Sequence, residues 1–259
     1  MTHPHPTSLL LAVTVALSLA ATTAAVQPTR QLVIRGQAQT LRLYGPATGA
    51  PVIVTSGDGG WMHLAPHVAE RLAAAGFAVV GFDSKAYLSS FTSGSHTLGT
   101  ADEPGDYKAL VDFAGTRAGR KPILVGVSEG AGLSVLAATD PQTKAAIGGV
   151  IALGLPELSE LGWRWKDSII YLTHGVPNEP TFEASALVGK VAPVPLVAIH
   201  STHDEFVPVD QIRKIMANAR EPKQLWLVPA SDHGFSDNEA AFDQRLLEAM
   251  AWVDAHAVR

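Results

Sequence analysis

The sequence predicts an α/β protein: one mostly parallel sheet with helices packed on both faces. Short continuous apolar runs, such as "PVIV" at 51–54 and "ILVGV" at 123–127, fit strands buried on both sides. Helical stretches alternate with these runs, and each crossover is long enough for a right-handed βαβ unit. Composition agrees. Of 259 residues, 47% are hydrophobic and only 17% charged, which suits a sizeable core. No internal repeat or Pro/Ser-rich linker interrupts residues 30–259, so one domain is expected there.

The leading residues stand apart. "LLLAVTVALSLAATTAAV" (9–26) is an apolar run passing into small residues, and Thr23-Ala24-Ala25 supplies a small-x-small cleavage motif. Residues 1–25 therefore read as a secretory signal peptide. No Lys or Arg precedes Arg30, and the run approaches the ~20 residues of a membrane span, so an uncleaved anchor is the competing reading. Either way the folded domain is expected outside the cytoplasm, periplasmic or secreted. The net charge of -5 and the lack of a basic run argue against a nucleic-acid partner. With no cysteine, the chain has no disulfide, thiolate metal site or cysteine nucleophile.

The elements then follow in order. "QLVIRGQAQTLRLYGP" alternates apolar and polar residues around a glycine, as a β-hairpin does. The strand at 51–55 runs into the glycine-rich "SGDGGW", and Leu64, Val68, Leu72 and Gly76 predict a helix from about 64 to 75. "FAVVGFD" is another buried strand; residues 84–101, rich in Ser, Thr and Gly, read as an irregular loop. A helix over "EPGDYKALVDFAGTRAG" leads to the strand "KPILVGV" and the helix "SEGAGLSVLAATD". A strand lies in "AAIGGVIALGL", and the less regular 155–190 is a candidate cap-like insertion. A strand ending near His200, a helix over "VDQIRKIMANAR", the strand of "KQLWLVPASDHGF" and a C-terminal helix complete the chain.

In a parallel α/β sheet, chemistry gathers at the carboxyl ends of the strands. Ser128, Asp204 and His233 fall at three such ends. Their order, Ser then Asp then His, is that of the α/β-hydrolase triad, and Gly126-Val127-Ser128-Glu129-Gly130 is its G-x-S-x-G elbow. The alternative is a plain strand–helix junction with Ser128 as a cap. A serine hydroxyl is a poor nucleophile unaided, so His233 is the expected base and Asp204 the group that fixes its tautomer. Glu205 is a substitute for Asp204, whereas Asp232 abuts His233 in sequence and is badly placed to orient it.

An oxyanion hole needs two donors. The Glu129 N–H should be one, and the "SGDGGW" loop should give the other, from Asp58 first and Gly59 next. Trp61, Tyr87, Trp163 and Trp165 are candidate substrate-binding side chains; the two later tryptophans, with Tyr171, fit a buried satellite cluster equally well. His63 and His67 have a zinc-compatible i, i+4 spacing but no evident companion ligand, so they read as surface histidines and no metal site is expected. His200 and His203 flank the acid strand's end without being the expected base.

Three stretches, "TSGDGGW", "VVGFDSKAYLSSFT" and "GVSEGAG", make the chain resemble the bacterial virulence protein family of VirJ and the C-terminal domain of AcvB, over about residues 50–255. The resemblance implies a periplasmic α/β-hydrolase with its triad on Ser128, Asp204 and His233. For at least one branch it implies hydrolysis of aminoacylated phosphatidylglycerol such as lysyl-phosphatidylglycerol. Val127 and Glu129 replace the aromatics of the family's usual G-Y-S-F-G elbow, and residues 161–182 have no clear counterpart.

The expectation is thus an exported serine hydrolase that cleaves an ester through an acyl-enzyme and needs no cofactor. A small-molecule or lipid ester, including one at a membrane surface, is the expected partner. The alternatives are a general carboxylesterase and a catalytically inactive periplasmic binding or assembly factor. Asp58 and Glu129 would make the mouth negative, which suits a substrate carrying its own cation.

Overall fold

A computed structural model of the protein describes residues 28–117, 119–165 and 179–257. The predicted leader at 1–25 and Tyr171 lie outside the described residues. The predicted hairpin is β1 (Thr29–Ile34) and β2 (Gln37–Tyr44), paired antiparallel. Four strands follow, each buried at every position: β3 (Pro51–Thr55), β4 (Ala78–Phe82), β5 (Ile123–Val127) and β6 (Gly149–Leu153). With β9 (Leu196–Ser201) and β10 (Lys223–Val228) they form an eight-stranded sheet in the order β1-β2-β4-β3-β5-β6-β9-β10. The six strands from β4 to β10 in that order pair in parallel, as continuous apolar runs covered on both faces require.

Helices cover the sheet on both sides. On one face, α1 (Leu64–Ala74) and α8 (Glu239–His256) bury Val68, Leu72, Phe242 and Leu246 against Val54, Val125 and Ile151. On the other lie α2 (Ser84–Phe91), α3 (Glu103–Ala114), α4 (Glu129–Ala137), α6 (Ala184–Val191) and α7 (Val209–Ala217). Their core includes Tyr87, Leu110, Leu133, Val188 and Ile212. A short α5 (Pro141–Ala146) starts on Asp140, whose carboxylate accepts from the N–H groups of Gln142 and Thr143.

Two segments are more regular than the sequence pattern suggests. Residues 84–91 form α2 rather than loop, because the Asp83 carboxylate caps the helix by accepting from the Ala86 N–H, 3.1 Å away. Within 155–190, β7 (Leu158–Glu160) and β8 (Thr181–Glu183) pair antiparallel, and α6 follows directly.

The chain reverses direction across the sheet at β3. It passes from β3 through α1 to β4 on one side, then returns to β5 on the other. The loops after β3 and β5 therefore diverge and leave a crevice at the strands' carboxyl ends, where open α/β sheets bind ligands.

Candidate active site

Ser128 follows β5 directly and is the first residue of that crevice. Its backbone sits at φ 50° and ψ −115°, a region costly for a residue with a Cβ. Its own N–H donates to the Leu153 carbonyl at 2.8 Å, and its carbonyl accepts from Ala131 N–H at 2.8 Å. The flanking glycines have a steric reason. A Cβ on Gly126 would overlap the backbone of Gly130, and one on Gly130 would overlap the Thr55 and Ser56 carbonyls. Ser128 makes no side-chain capping bond, so the plain helix-cap alternative fails and the hydroxyl is not engaged by its helix.

Asp204 lies just past β9, 8% exposed. One oxygen accepts from the N–H groups of Phe206 and Val207, at 2.9 and 2.8 Å; the other accepts from His233 Nδ1–H at 2.6 Å. Burial opposes its charge. The hydrogen bond and charge of His233, with the two backbone donors, outweigh that and hold the carboxyl below the usual range. His233 comes from the loop after β10, and its ring meets the Phe206 ring edge-on at 5.6 Å and 86°. The bond to Asp204 fixes Nδ1 as the protonated nitrogen and leaves Nε2 as the basic one.

His200 is buried and donates from Nε2 to the Val207 carbonyl at 2.7 Å. Burial foremost lowers its pKa, so it is a neutral structural histidine beneath the acid. His67 is half-buried between α1 and α8, where Nε2 lies 2.7 Å from the Asp243 carboxylate. His63 is exposed at the crevice mouth, and its φ 53° and ψ −115° nearly repeat those of Ser128.

A cavity of about 600 Å³ opens over Ser128 and His233. Met62, Leu64, Val127, Leu158, Phe206 and Val207 give it apolar walls, while Asp58, Glu129, Glu157, Glu160 and Glu205 bring carboxyl groups. Neither Lys nor Arg is among the described residues lining it. Burial foremost raises the Glu129 carboxyl well above its ordinary range, and the nearby charge of Glu160 adds to this. Its Oε1 accepts from the Glu160 N–H at 2.8 Å. A second cavity, about 680 Å³, lies at the strands' opposite ends among residues such as Ala50, Phe77, Arg120 and Met250. It contains none of the three triad candidates.

The candidate oxyanion donors Glu129, Asp58 and Gly59 border the same cavity as Ser128. Glu129 N–H opens α4, where a first-turn donor has no intrahelical acceptor. Burial foremost raises the Asp58 carboxyl from its ordinary value.

The four aromatic candidates are corrected, because none lines the cavity. Tyr87 is fully buried, and its hydroxyl donates to Asp106 at 2.6 Å within the core behind α3. Trp61 turns outward: its indole packs over Gly81, which lacks the Cβ that would overlap it, and Nε1–H donates to the Tyr44 hydroxyl at 3.0 Å. Trp163 is half-buried under Lys85, whose Nζ lies 4.3 Å from the ring centroid, and its N–H donates to Thr92 Oγ1 at 3.1 Å. Trp165 is 74% exposed. Bonds from 161–163 to 92–98 draw this stretch away from the crevice, so 156–160 supplies the wall instead.

Two positions at the site were not singled out from sequence. Gly154, after β6 with φ 61°, leaves room for His233, because a Cβ there would overlap the imidazole. Phe206 forms the edge contact with that ring. The glycine after the strand was the available signal for the first; Phe206 carried none.

Comparisons with known proteins agree with this architecture. The description "Bacterial virulence protein (VirJ)" matches residues 50–252. A Salmonella typhi protein named YfhR, itself uncharacterised, is 36% identical over 52 residues, 20% of this chain and 18% of its own length. The match to Escherichia coli YfhR is 33% over 61 residues, or 23% and 22%. The chain thus aligns with under a quarter of these relatives' length. Among solved structures, Est1E from Butyrivibrio proteoclasticus superposes with a TM-score of 0.64 at 16% identity, over 88% of this chain and 99% of that one. A dienelactone hydrolase assigned in Klebsiella pneumoniae gives 0.62 at 14%, over 88% and 98%. A membrane phospholipase A described as a bacterial virulence factor gives 0.56 at 12%, over 86% of each chain. At these identities the likeness is one of fold, the α/β-hydrolase fold.

Proposed function

The chain belongs to the VirJ family of bacterial virulence proteins, and from that premise we propose that it is a serine hydrolase acting on an ester. One observation carries the reading. A strained, uncapped Ser128 opens onto the same cavity as a histidine whose Nδ1–H is 2.6 Å from a buried aspartate. Ser128 Oγ attacks the ester carbonyl while His233 Nε2 takes its proton; the same proton then passes to the departing alcohol. Water, deprotonated by His233, attacks the acyl-serine, and the imidazolium returns that proton to Ser128 Oγ as the acyl–oxygen bond breaks and the acid leaves. Asp204 stays ionised throughout and stabilises the imidazolium. The N–H groups of Glu129 and of Asp58 or Gly59, which border the same cavity as Ser128, hold the oxyanion.

Asp58, Glu129, Glu157 and Glu160 around the cavity favour a substrate with a cationic acyl group, an aminoacyl ester such as lysyl-phosphatidylglycerol. Glu129, pushed towards its neutral form, adds little charge beside the oxyanion until an ammonium arrives to draw it back to carboxylate. The structural likeness to a phospholipase is compatible with a lipid leaving group. The apolar leader of residues 9–26 is the basis for placing the enzyme outside the cytoplasm, and residues 156–160 form one wall of the substrate cavity.

The test compares lysyl and neutral acyl esters of one glycerol leaving group. At least ~10-fold higher kcat/KM for the lysyl ester is expected, with the gap narrowing in Asp58→Asn. Equal rates on both would remove the cationic substrate class and leave a general carboxylesterase.

A further inference from the structure

We propose that Glu205 is a positioning residue for the base, an inference that rests on the hydrolase reading of the same site. By sequence alone Glu205 is a stand-in for Asp204. The geometry gives it a different role, since Glu205 Oε2 accepts from the backbone N–H of His233 at 2.8 Å while Asp204 alone holds the ring nitrogen. Three consecutive residues thus meet one histidine at three points. Asp204 fixes Nδ1, Glu205 fixes the main chain, and the Phe206 ring stands edge-on to the imidazole at 5.6 Å.

The rest of the His233 loop is tied mostly to itself and to its own side of the sheet. The Asp232 carboxylate accepts from Ser236 N–H at 3.0 Å, Asp237 from Ser231 N–H at 2.9 Å, and Asn238 Nδ2 donates to the Pro229 carbonyl at 2.8 Å. Phe235 stacks on Phe242 of α8 at 4.6 Å. Those contacts shape the loop, and within it the Asp232 carbonyl of the peptide that carries the imidazole accepts from Phe235 N–H at 3.3 Å; Glu205 ties the N–H of that peptide to the neighbouring loop after β9. The Asp204 bond limits rotation of the ring about Cα–Cβ, but the whole side chain still moves with the main chain that carries it, and pinning the peptide N–H removes that freedom. A base misplaced by about 1 Å can lose on the order of 100-fold in rate. Glu205 is exposed in this state, so solvent competes for its bond and the effect should be smaller, while substitution there leaves the fold intact.

The experiment compares Glu205→Ala, Glu205→Gln and wild type by ester hydrolysis and by the NMR resonance of the His233 Nδ1 proton. Glu205→Ala should lower kcat about 10-fold with KM little changed, and broaden the Nδ1 resonance through faster exchange. Glu205→Gln keeps an oxygen acceptor and should restore both. An unchanged resonance and rate in Glu205→Ala would overturn the proposal. So would a Gln variant as impaired as Ala, because the charge would then matter rather than the anchor. A change confined to KM would make Glu205 a substrate contact instead. The resonance needs no turnover: a wild type that hydrolyses nothing, with His233 anchored as described, would sink the hydrolase reading and not this one.

Discussion

Asp204 and Glu103 are both buried carboxyls at the ends of secondary-structure elements, and the protein treats them in opposite ways. Asp204 receives two backbone N–H groups and His233 Nδ1–H, and these hold it ionised against burial. Glu103, in the first turn of α3, is fully buried with neither oxygen hydrogen-bonded. Burial foremost, then the charge of Asp106, raises its pKa well above the ordinary value. The donors nearby are spent on Asp106, which takes Arg35 Nε at 2.8 Å and the Tyr87 hydroxyl at 2.6 Å. Burial alone makes a neutral acid that holds nothing in place. Burial with donors makes a fixed charge that can hold an imidazole in one tautomer.

The comparison breaks most sharply at Asp204. Asp204→Asn keeps the shape but disfavours the reactive tautomer, so kcat in ester hydrolysis should fall about 10⁴-fold. A drop under tenfold would mean that His233 does not depend on this charge. Gly154→Ala acts on the same ring from the other side: its Cβ would displace the imidazole, and kcat should fall on the order of 100-fold.

Glu103→Met should leave kcat unchanged and stabilise the fold above neutral pH, by about 1–3 kcal/mol in denaturant titrations. The sign follows from linkage. Glu103 has a folded pKa above its unfolded one, so its contribution is fully present below the unfolded pKa and is lost as pH rises through the folded value. Asp204, depressed, behaves in reverse: its contribution is present above the unfolded pKa and lost as pH falls through the folded value. Melting curves across pH should therefore show the Glu103→Met advantage growing towards alkali, and a constant advantage would contradict a protonated Glu103. The smallest effect belongs to Tyr87→Phe, which removes a donor to Asp106. It should cost about 1–2 kcal/mol of stability and leave kcat as it was, whereas a substrate-binding Tyr87 would raise KM.

The same distinction explains what the sequence could show. Ser128 directly ends a continuous apolar run, and Asp204 and His233 sit in loops three and five residues past β9 and β10, so the strand pattern and the chain order point to them without tertiary information. The aromatic side chains were misassigned because a position near the site says nothing about direction. Trp61 belongs to the loop over the crevice, yet its indole lies on Gly81, a contact between residues 20 apart whose direction no local pattern encodes. Residues 84–91 differ for a related reason: the Ser, Thr and Gly content of 84–101 as a whole suggests a loop, and Asp83 supplies the cap that starts a helix. Gly154, Glu205 and Phe206 act through one histidine that folding alone brings near them.

The central claim is that Ser128 is an activated nucleophile, and labelling by a fluorophosphonate probe tests it most directly. The account predicts stoichiometric modification of the folded wild type, mapped to the peptide carrying Ser128, none in Ser128→Ala, and strongly slowed labelling in Asp204→Asn. A well-folded wild type that takes up no probe would contradict it, and the fold would then be serving as a binding module.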